Sequence, residues 1–187
     1  GHDKNNIKSV DVVVFSSAIK NNNPEIKTAL DKKIPLLSRA DMLAELMKTK
    51  KSIAIAGSHG KTTTTSLVGN ILSQAKFDPT IVNGGIINSL SKNNRYGKGD
   101  WMVVEADESD GSFLKLPHQI SIITNLDIEH LDFYKTKKNL ISSFEKFVNM
   151  LPFYGTSIIC LDDKNLKKLV KKIKTRNIIT YSTKNKK

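Results

Sequence analysis

Short apolar runs alternate with amphipathic stretches along almost the whole chain, and this alternation limits the possible folds more than any other feature. The runs typical of buried strands lie at residues 10–15, 34–37, 52–56, 80–82, 101–106, 120–124, 157–161 and 177–180. Helical patterns lie between them, after Asn23-Pro24, after Ser38, and at residues 62–74, 139–150 and 163–174. Strands that alternate with helices predict an α/β fold, in which helices cover both faces of a mostly parallel sheet.

Two polar segments interrupt the pattern. The sequence Lys48-Thr49-Lys50-Lys51 is the expected boundary between two domains, which would comprise residues 1–48 and 49–187. A length of 187 residues agrees with one domain and part of another, because typical domains contain about 100–200 residues. The second polar segment, residues 91–99, predicts a loop.

Composition and charge argue against several classes of protein. The net charge is +12, but Arg39, Arg95 and Arg176 are the only arginines among the 30 basic residues. Since arginine makes the bidentate contacts typical of nucleic-acid recognition, no nucleic acid is expected as a partner. The apolar runs are far shorter than the roughly 20 residues that cross a bilayer, so no membrane partner is expected. The single cysteine, Cys160, excludes an intrachain disulfide and agrees with a cytoplasmic protein.

The strongest local signal is the sequence Gly57-Ser58-His59-Gly60-Lys61-Thr62-Thr63, between an apolar run and a helical pattern. Glycines let the backbone of such a turn point its N–H groups toward an anion. The helix start carries about half a positive charge. Lys61 can reach the β- and γ-phosphates, and the Thr62 hydroxyl can bind Mg²⁺. These seven residues are predicted to bind a nucleotide, although the usual first glycine of the pattern is replaced by Ile55.

Carboxylates follow the next buried strand of this series. Glu105 comes directly after Val103-Val104. An acidic residue at this place holds or positions Mg²⁺ in phosphate-loop enzymes, so Glu105 is a predicted metal ligand and catalytic residue. Asp107 and Asp110 are equally typical of a solvated acidic turn.

A further polar cluster follows the predicted strand at residues 120–124. It consists of Asp127, Glu129, His130 and Asp132. A neutral imidazole is a common metal ligand, and the neighbouring carboxylates favour His130 as a metal-binding and catalytic residue. Ligands of parallel sheets bind at the carboxyl ends of strands, so these clusters are expected to share one rim. The residues alone thus predict a Mg-ATP phosphoryl-transfer site, and they leave the phosphoryl acceptor open.

Several stretches resemble the Mur ligase family, and they occur in the family's order. They are residues 14–19, 23–25, 34–47, 55–65, 82–85, 105–113, 124–134 and 151–155. The histidine in the phosphate loop and the run Glu-Ala-Asp-Glu-Ser-Asp are similar to the L-alanine-adding branch. The resemblance implies a central ATP-binding domain at 49–187 and part of a Rossmann-like, UDP-substrate domain at 1–48.

The resemblance also implies an activity. It is that of an ATP-dependent amide ligase of peptidoglycan precursor synthesis, whose substrates are UDP-N-acetylmuramate and L-alanine. Phosphorylation of the muramate carboxylate would give an acyl phosphate, which the amine of alanine attacks. Lys61 would contact the γ-phosphate, Thr62 and Glu105 would bind one Mg²⁺, and His130 would help to bind a second. The residues expected near the substrates are Ser16 and Ser17, on the uridine side, and His59, Asn83, Gly84 and Ser109.

The family's glycine-rich UDP turn and its C-terminal, amino-acid-binding domain are not found in these 187 residues. We therefore expect the 187-residue polypeptide alone to be inactive. Three alternatives remain open: another Mur-type or folate-type amide ligase with the same ATP site, a nucleic-acid-dependent phosphate-loop ATPase, and a non-catalytic nucleotide-binding module. The charge of +12 favours the ATPase, whereas the scarcity of arginine argues against it.

Overall fold

The computed structural model of the chain describes residues 1–87 and 92–184. The chain divides into two compact units, Gly1–Leu46 and Met47–Lys187. Each unit contains parallel strands joined through helices, as the alternation of the sequence predicts.

The first unit contains a pair of parallel strands connected through a helix. Its elements are a 3₁₀ turn (Lys4–Asn6), β1 (Val13–Phe15), α1 (Pro24–Asp31), β2 (Leu36–Ser38) and α2 (Arg39–Lys48), whose last residues belong to the second unit. The Asn23 side chain caps α1 by accepting a hydrogen bond from Glu25 N at 2.8 Å. Ser38 Oγ accepts one from Asp41 N at 3.2 Å, at the start of α2. Both predicted helix starts are confirmed.

The second unit is built around a seven-stranded sheet. Its elements are β3 (Lys51–Ala56), α3 (Lys61–Gln74), β4 (Thr80–Ile87), β5 (Lys92–Arg95), β6 (Trp101–Glu105), a 3₁₀ turn (Ser112–Lys115), β7 (Ile120–Ile123), α4 (Leu131–Tyr134), α5 (Lys137–Asn149), β8 (Thr156–Cys160), α6 (Lys164–Val170) and β9 (Asn177–Tyr181). The strand order is β5-β4-β6-β3-β7-β8-β9, and every pair is parallel except β4 with β5. The predicted α/β fold with a mostly parallel sheet is confirmed.

β3 lies at the centre of this sheet, and every residue of β3 after its first is buried. Because successive side chains point to opposite faces, both faces of the strand are covered. On one face, Ile53 and Ile55 form a core with Val103, and α3 packs against this core through Val68 and Leu72. The strand and the helix on either side of residues 57–60 are therefore both fixed by apolar packing.

The structure corrects part of the predicted loop at residues 91–99: residues 92–95 form β5, whereas residues 96–99 lie outside any helix or strand. β5 pairs antiparallel with β4, with Ile81 opposite Arg95 and Val82 opposite Asn94. β4 itself continues to Ile87, so Asn83 and Gly84 lie within a strand instead of after one. β5 was missed because an edge strand faces solvent and carries polar residues, which in sequence are indistinguishable from a loop. Ser91 lies outside the described residues.

Smaller differences concern the ends of elements. β1 begins at Val13 rather than at residue 10, and α6 ends at Val170 rather than at residue 174. α3 is the longest described helix, with 14 residues. In the described parts of the chain, no helix combines the length and the apolar character needed to cross a bilayer.

A buried histidine belongs to an aromatic cluster beside α5. The ring of Phe113 lies 5.0 Å from that of Phe147, and His118 stacks on Phe147 at 4.3 Å. His118 is 3% exposed, and its Nδ1 donates a hydrogen bond to Leu116 O at 2.8 Å. Its Nε2 has no hydrogen-bond partner within the described residues. Burial lowers the pKa of His118, because the charged imidazolium loses its hydration.

The His118→Asn variant should make the stability of the fold less dependent on pH. A histidine whose pKa is lowered by folding costs no stability above its unfolded pKa of about 6.5, and it destabilises progressively as pH falls below that value. For one proton the slope is at most about 1.4 kcal/mol per pH unit. We expect the urea midpoint of the wild type to fall more between pH 7.5 and pH 5 than that of the variant.

The exposed histidine His2 offers the matched control. His2→Asn should leave the difference between the two pH values close to that of the wild type. An equal fall of the midpoint in the wild type and in His118→Asn would show that the buried imidazole does not contribute.

Candidate active site

The predicted nucleotide-binding and metal-binding residues of the second unit gather at one edge of its sheet. β3 is hydrogen-bonded to β6 on one side and to β7 on the other, all three in parallel. Their carboxyl ends therefore lie at the same edge, where ligands of such sheets bind. The loop 57–60, the acidic turn 105–110 and the turn 124–130 follow these three strands.

The loop between β3 and α3 needs its two glycines. Gly57 has a φ of +134°, and a Cβ at this position would lie 2.2 Å from Thr124 Oγ1. Gly60 has a φ of +79° and is the N-cap residue of α3. No side chain of the described residues caps this helix start. The first backbone N–H groups of α3, together with the helix dipole, therefore form a place that favours an anion.

The turn after β7 holds this loop through hydrogen bonds to the backbone of His59. Asn125 Oδ1 accepts from His59 N at 2.8 Å, and Asn125 Nδ2 donates to His59 O at 2.9 Å. Thr124 Oγ1 donates to the same carbonyl at 2.7 Å. Ser58 Oγ accepts from Asp127 N at 2.9 Å. The loop conformation thus depends on a neighbouring strand end, and no motif in the sequence indicates this role for Thr124 and Asn125.

The structure brings together two of the three predicted Mg²⁺ ligands. Thr62 Oγ1 lies 3.1 Å from each carboxylate oxygen of Glu105 and donates a hydrogen bond to that carboxylate. The backbone N–H of Gly84 also donates to Glu105, at 2.7 Å. Gly84 approaches so closely that a Cβ there would lie 3.2 Å from the carboxylate. Glu105 is therefore held beside the start of α3 by contacts from two elements.

Lys61 is paired with a buried carboxylate that no sequence motif identifies. Lys61 Nζ lies 2.8 Å and 3.1 Å from the two carboxylate oxygens of Glu108, which is 1% exposed. The same ammonium donates to Gly57 O at 2.7 Å. A buried carboxylate is costly without a partner, so this pair is a defined part of the site rather than a surface contact.

His130, the residue expected to help bind a second Mg²⁺, lies beside Glu108. Its Nε2 is 3.9 Å from Glu108 Oε1. His130 has a φ of +55°, which is uncommon for a residue other than glycine, and it is the N-cap residue of α4. Such strained backbone is frequent at functional sites.

Tyr134, at the end of α4, connects this helix to the acidic turn. Its hydroxyl donates a hydrogen bond to the backbone carbonyl of Glu108. Burial, together with the negative charges of Glu108, Asp110 and Asp107, raises the pKa of Tyr134. The phenol therefore stays protonated and remains a hydrogen-bond donor.

His59 lies on the exposed side of the phosphate loop. Its side chain is 61% exposed, and its Nε2 lies 3.1 Å from Asp127 Oδ2 and 3.4 Å from Glu129 Oε1. The imidazole therefore faces solvent and two carboxylates, where a polar ligand has access. Thr63 is also exposed.

The predicted substrate residues have different surroundings. Asn83 is 5% exposed, and its Nδ2 donates to Ser66 Oγ at 2.9 Å, which ties β4 to α3. Its Oδ1 is buried, and no described group donates to it. Ser109 lies in the acidic turn, where its N–H donates to Asp107 Oδ1 at 3.0 Å. In the first unit, Ser16 and Ser17 follow β1, and Ser16 Oγ accepts from Ala18 N at 3.3 Å.

The oxygen atoms of Thr62 and Glu105 fit the chemistry of Mg²⁺. No group of three or more His, Cys, Asp or Glu side chains is arranged to hold a metal ion by itself, as far as the described residues go. Mg²⁺ is commonly held by one or two protein oxygens, with substrate phosphates and water completing its shell. A hydroxyl and a carboxylate 3.1 Å apart, at an anion-binding helix start, meet that requirement.

Two models of protein domains match the chain. The Mur ligase middle domain matches residues 55–187, and the Mur ligase family catalytic domain matches residues 1–51. Curated relatives include UDP-N-acetylmuramate–L-alanine ligases of Methylocella silvestris, 55% identical over 181 residues, and of Azorhizobium caulinodans, 56% identical over 181 residues. In both comparisons the match covers 97% of this chain and 39% of the relative. The chain thus spans about two fifths of the length of these relatives.

Solved structures show the same fold. The UDP-N-acetylmuramate-alanine ligase of Thermotoga maritima superposes with a TM-score of 0.83 and 28% identity, over 99% of this chain and 41% of that one. The UDP-N-acetylmuramate:L-alanyl-γ-D-glutamyl-meso-diaminopimelate ligase of Neisseria meningitides has a TM-score of 0.82 at 21% identity, over 96% of this chain and 61% of that one. With a family model that accounts for residues 55–187, the chain belongs to the Mur ligase family.

Proposed function

We propose that the chain supplies the nucleotide-binding part of a ligase that uses ATP to join L-alanine to UDP-N-acetylmuramate. The observation that carries this proposal is the arrangement of Lys61, Thr62 and Glu105 at the uncapped start of α3. The choice of substrates is supported by curated relatives of that name with 55% and 56% identity.

The proposed reaction begins with an unreactive carboxylate. ATP, when bound with Mg²⁺, supplies the phosphoryl group that converts the muramate carboxylate into a good acyl donor. The site must offset negative charge as that group is transferred, because phosphoryl transfer depends on positioning and electrostatic stabilisation. The amine of alanine then displaces phosphate and forms the amide bond.

Different residues of the chain have different roles in this reaction. The backbone N–H groups of Gly60 and of the first turn of α3 bind phosphate oxygens, because those of Ser58 and His59 already donate to Asn125. The ammonium of Lys61 contacts the terminal phosphate, and the oxygens of Thr62 and Glu105 hold Mg²⁺. His130 remains our candidate for a second Mg²⁺, on the Glu108 side of the site.

The substrate contacts extend this proposal beyond the nucleotide. His59, Gly84 and Ser109 border the phosphate loop or the acidic turn, where the muramate carboxylate and alanine must meet the terminal phosphate. Asn83 acts indirectly in this scheme, because its amide nitrogen is used to tie β4 to α3. Ser16 and Ser17, in the first unit, are proposed to lie on the uridine side of the substrate.

The Thr62→Ala variant tests the proposed Mg²⁺ site. The variant removes a metal ligand and the hydroxyl that donates to Glu105. An interaction with a charged group contributes about 1.5 kcal/mol, and its loss corresponds to roughly tenfold weaker binding. By titration calorimetry, we expect ADP with Mg²⁺ to bind the variant about tenfold more weakly than the wild type, with little change for ADP in EDTA.

The neighbouring Thr64 provides a matched control. Thr64→Ala removes the same hydroxyl group from the same helix, away from Glu105, and should bind ADP with Mg²⁺ like the wild type. Equal weakening by Thr62→Ala with and without Mg²⁺ would mean that Thr62 supports the loop rather than the metal.

The proposed amino-acid substrate is tested by phosphate release in the complete natural polypeptide that contains this chain. With ATP, Mg²⁺ and UDP-N-acetylmuramate present, we expect release to depend on L-alanine, with a rate at least about tenfold above that with D-glutamate, diaminopimelate or D-alanyl-D-alanine. A single added or missing methylene changes such selectivity by roughly tenfold or more.

Lys61→Ala combined with Glu108→Gln is the matched inactive control, because Lys61→Ala alone would leave a buried carboxylate unpaired. A preference for a different amino acid would assign the chain to another ligase of the family. Stimulation by DNA in place of an amino acid would favour the nucleic-acid-dependent ATPase.

A further inference from the structure

Glu108 is a buried acidic residue that has no role in the proposed reaction. It is 1% exposed, and its carboxylate is paired through both oxygens with Lys61 Nζ. The next basic group is His130, whose Nε2 lies 3.9 Å away. Removing a carboxylate from water costs several kcal/mol. Packing alone would be served better by an apolar residue, so the ionic contact with Lys61 needs an explanation.

The position of Glu108 is fixed through its backbone. Its carbonyl oxygen accepts hydrogen bonds from the Tyr134 hydroxyl and from Gly111 N, the latter at 3.1 Å. The two residues that flank Glu108 also contact each other: Asp107 Oδ1 accepts a hydrogen bond from Ser109 N at 3.0 Å, which closes a tight turn. The carboxylate therefore projects from a rigid support, and Lys61 is the flexible partner of the pair.

The contacts of Lys61 leave part of its ammonium for another ligand. An ammonium has three N–H donors. Gly57 O lies 2.7 Å from Nζ, and the two oxygens of the Glu108 carboxylate lie 2.8 Å and 3.1 Å away. Ser58 O lies 3.4 Å away, beyond the usual length of a hydrogen bond. The ammonium is therefore held at the loop by Gly57 and Glu108, and a phosphate oxygen can replace its long contacts with Ser58 O and with the more distant Glu108 oxygen.

We infer that Glu108 is a positioning residue for Lys61, which holds the ammonium at the loop before and during nucleotide binding. This inference rests on the proposed function, because Lys61 is there the group that contacts the terminal phosphate. The contact has two opposite effects. Glu108 orients Lys61 for the transferred phosphoryl group, and its negative charge weakens the binding of the nucleotide.

The Glu108→Gln variant separates these two effects, since glutamine keeps the shape and removes the charge. We expect the 187-residue chain to bind ADP about tenfold more tightly by titration calorimetry, because a negative charge close to the bound phosphates is lost. In the complete natural polypeptide, we expect kcat for L-alanine-dependent phosphate release to fall by about tenfold or more, because Lys61 loses its orientation. Tighter binding with slower turnover is not the result of structural damage, which weakens both.

Two further variants complete the test. Glu145→Gln removes a negative charge from α5, away from the site, and should leave both ADP affinity and kcat at the wild-type values. Glu108→Asp keeps the charge but draws the carboxylate back from Lys61, so kcat should fall while ADP affinity stays near that of the wild type. If Glu108→Gln does not fold, the kcat and ADP affinity of Glu108→Asp test the inference instead.

The outcomes distinguish the inference from the function on which it rests. Suppose that the wild-type chain binds ADP, but Glu108→Gln binds it no more tightly or turns over as fast as the wild type. The proposed role of Glu108 is then wrong, and the proposed function is unaffected. A wild-type chain that does not bind ADP overturns the proposed function and, with it, the inference.

Discussion

The hydrogen bonds between the end of β7 and the backbone of His59 are the interaction on which the candidate site depends. Thr124 and Asn125 bind both the N–H and the C=O of that residue, so the middle of the loop is held by a neighbouring strand end. With these groups occupied, the loop leads into α3 with its helix start uncapped. The positions of Lys61 and Thr62, on the first turn of α3, follow from this arrangement.

Most of the fold could be predicted from the sequence because its central strands are buried on both faces. β3 and β6 appear in the sequence as continuous apolar runs, and the helices between strands have amphipathic patterns. β5 could not be predicted in this way. Its stability comes from antiparallel pairing with β4, a contact between segments that leaves no apolar pattern in residues 92–95.

The candidate site shows the same difference between local and non-local information. Thr62 follows directly from the loop motif, and the parallel register places Glu105 opposite Ile55, at the end of the strand that leads into the loop. Glu108 is different, because its neighbours Asp107, Ser109 and Asp110 are typical of a solvated turn. Its burial results from contacts with Lys61 and Tyr134, which are distant in sequence. The acidic run at residues 105–110 has no periodicity that would identify Glu108 as a buried residue.

The backbone of Gly57 has a consequence for the tolerance of this chain to mutation. Every amino acid except glycine would bring a Cβ to within 2.2 Å of Thr124 Oγ1, at a φ of +134° that L-residues rarely adopt. Any missense change in the codon for this residue is therefore incompatible with the present loop, however small or polar the new side chain. Lysine, asparagine and isoleucine are abundant in this chain, but none of them can replace Gly57 without changing the loop.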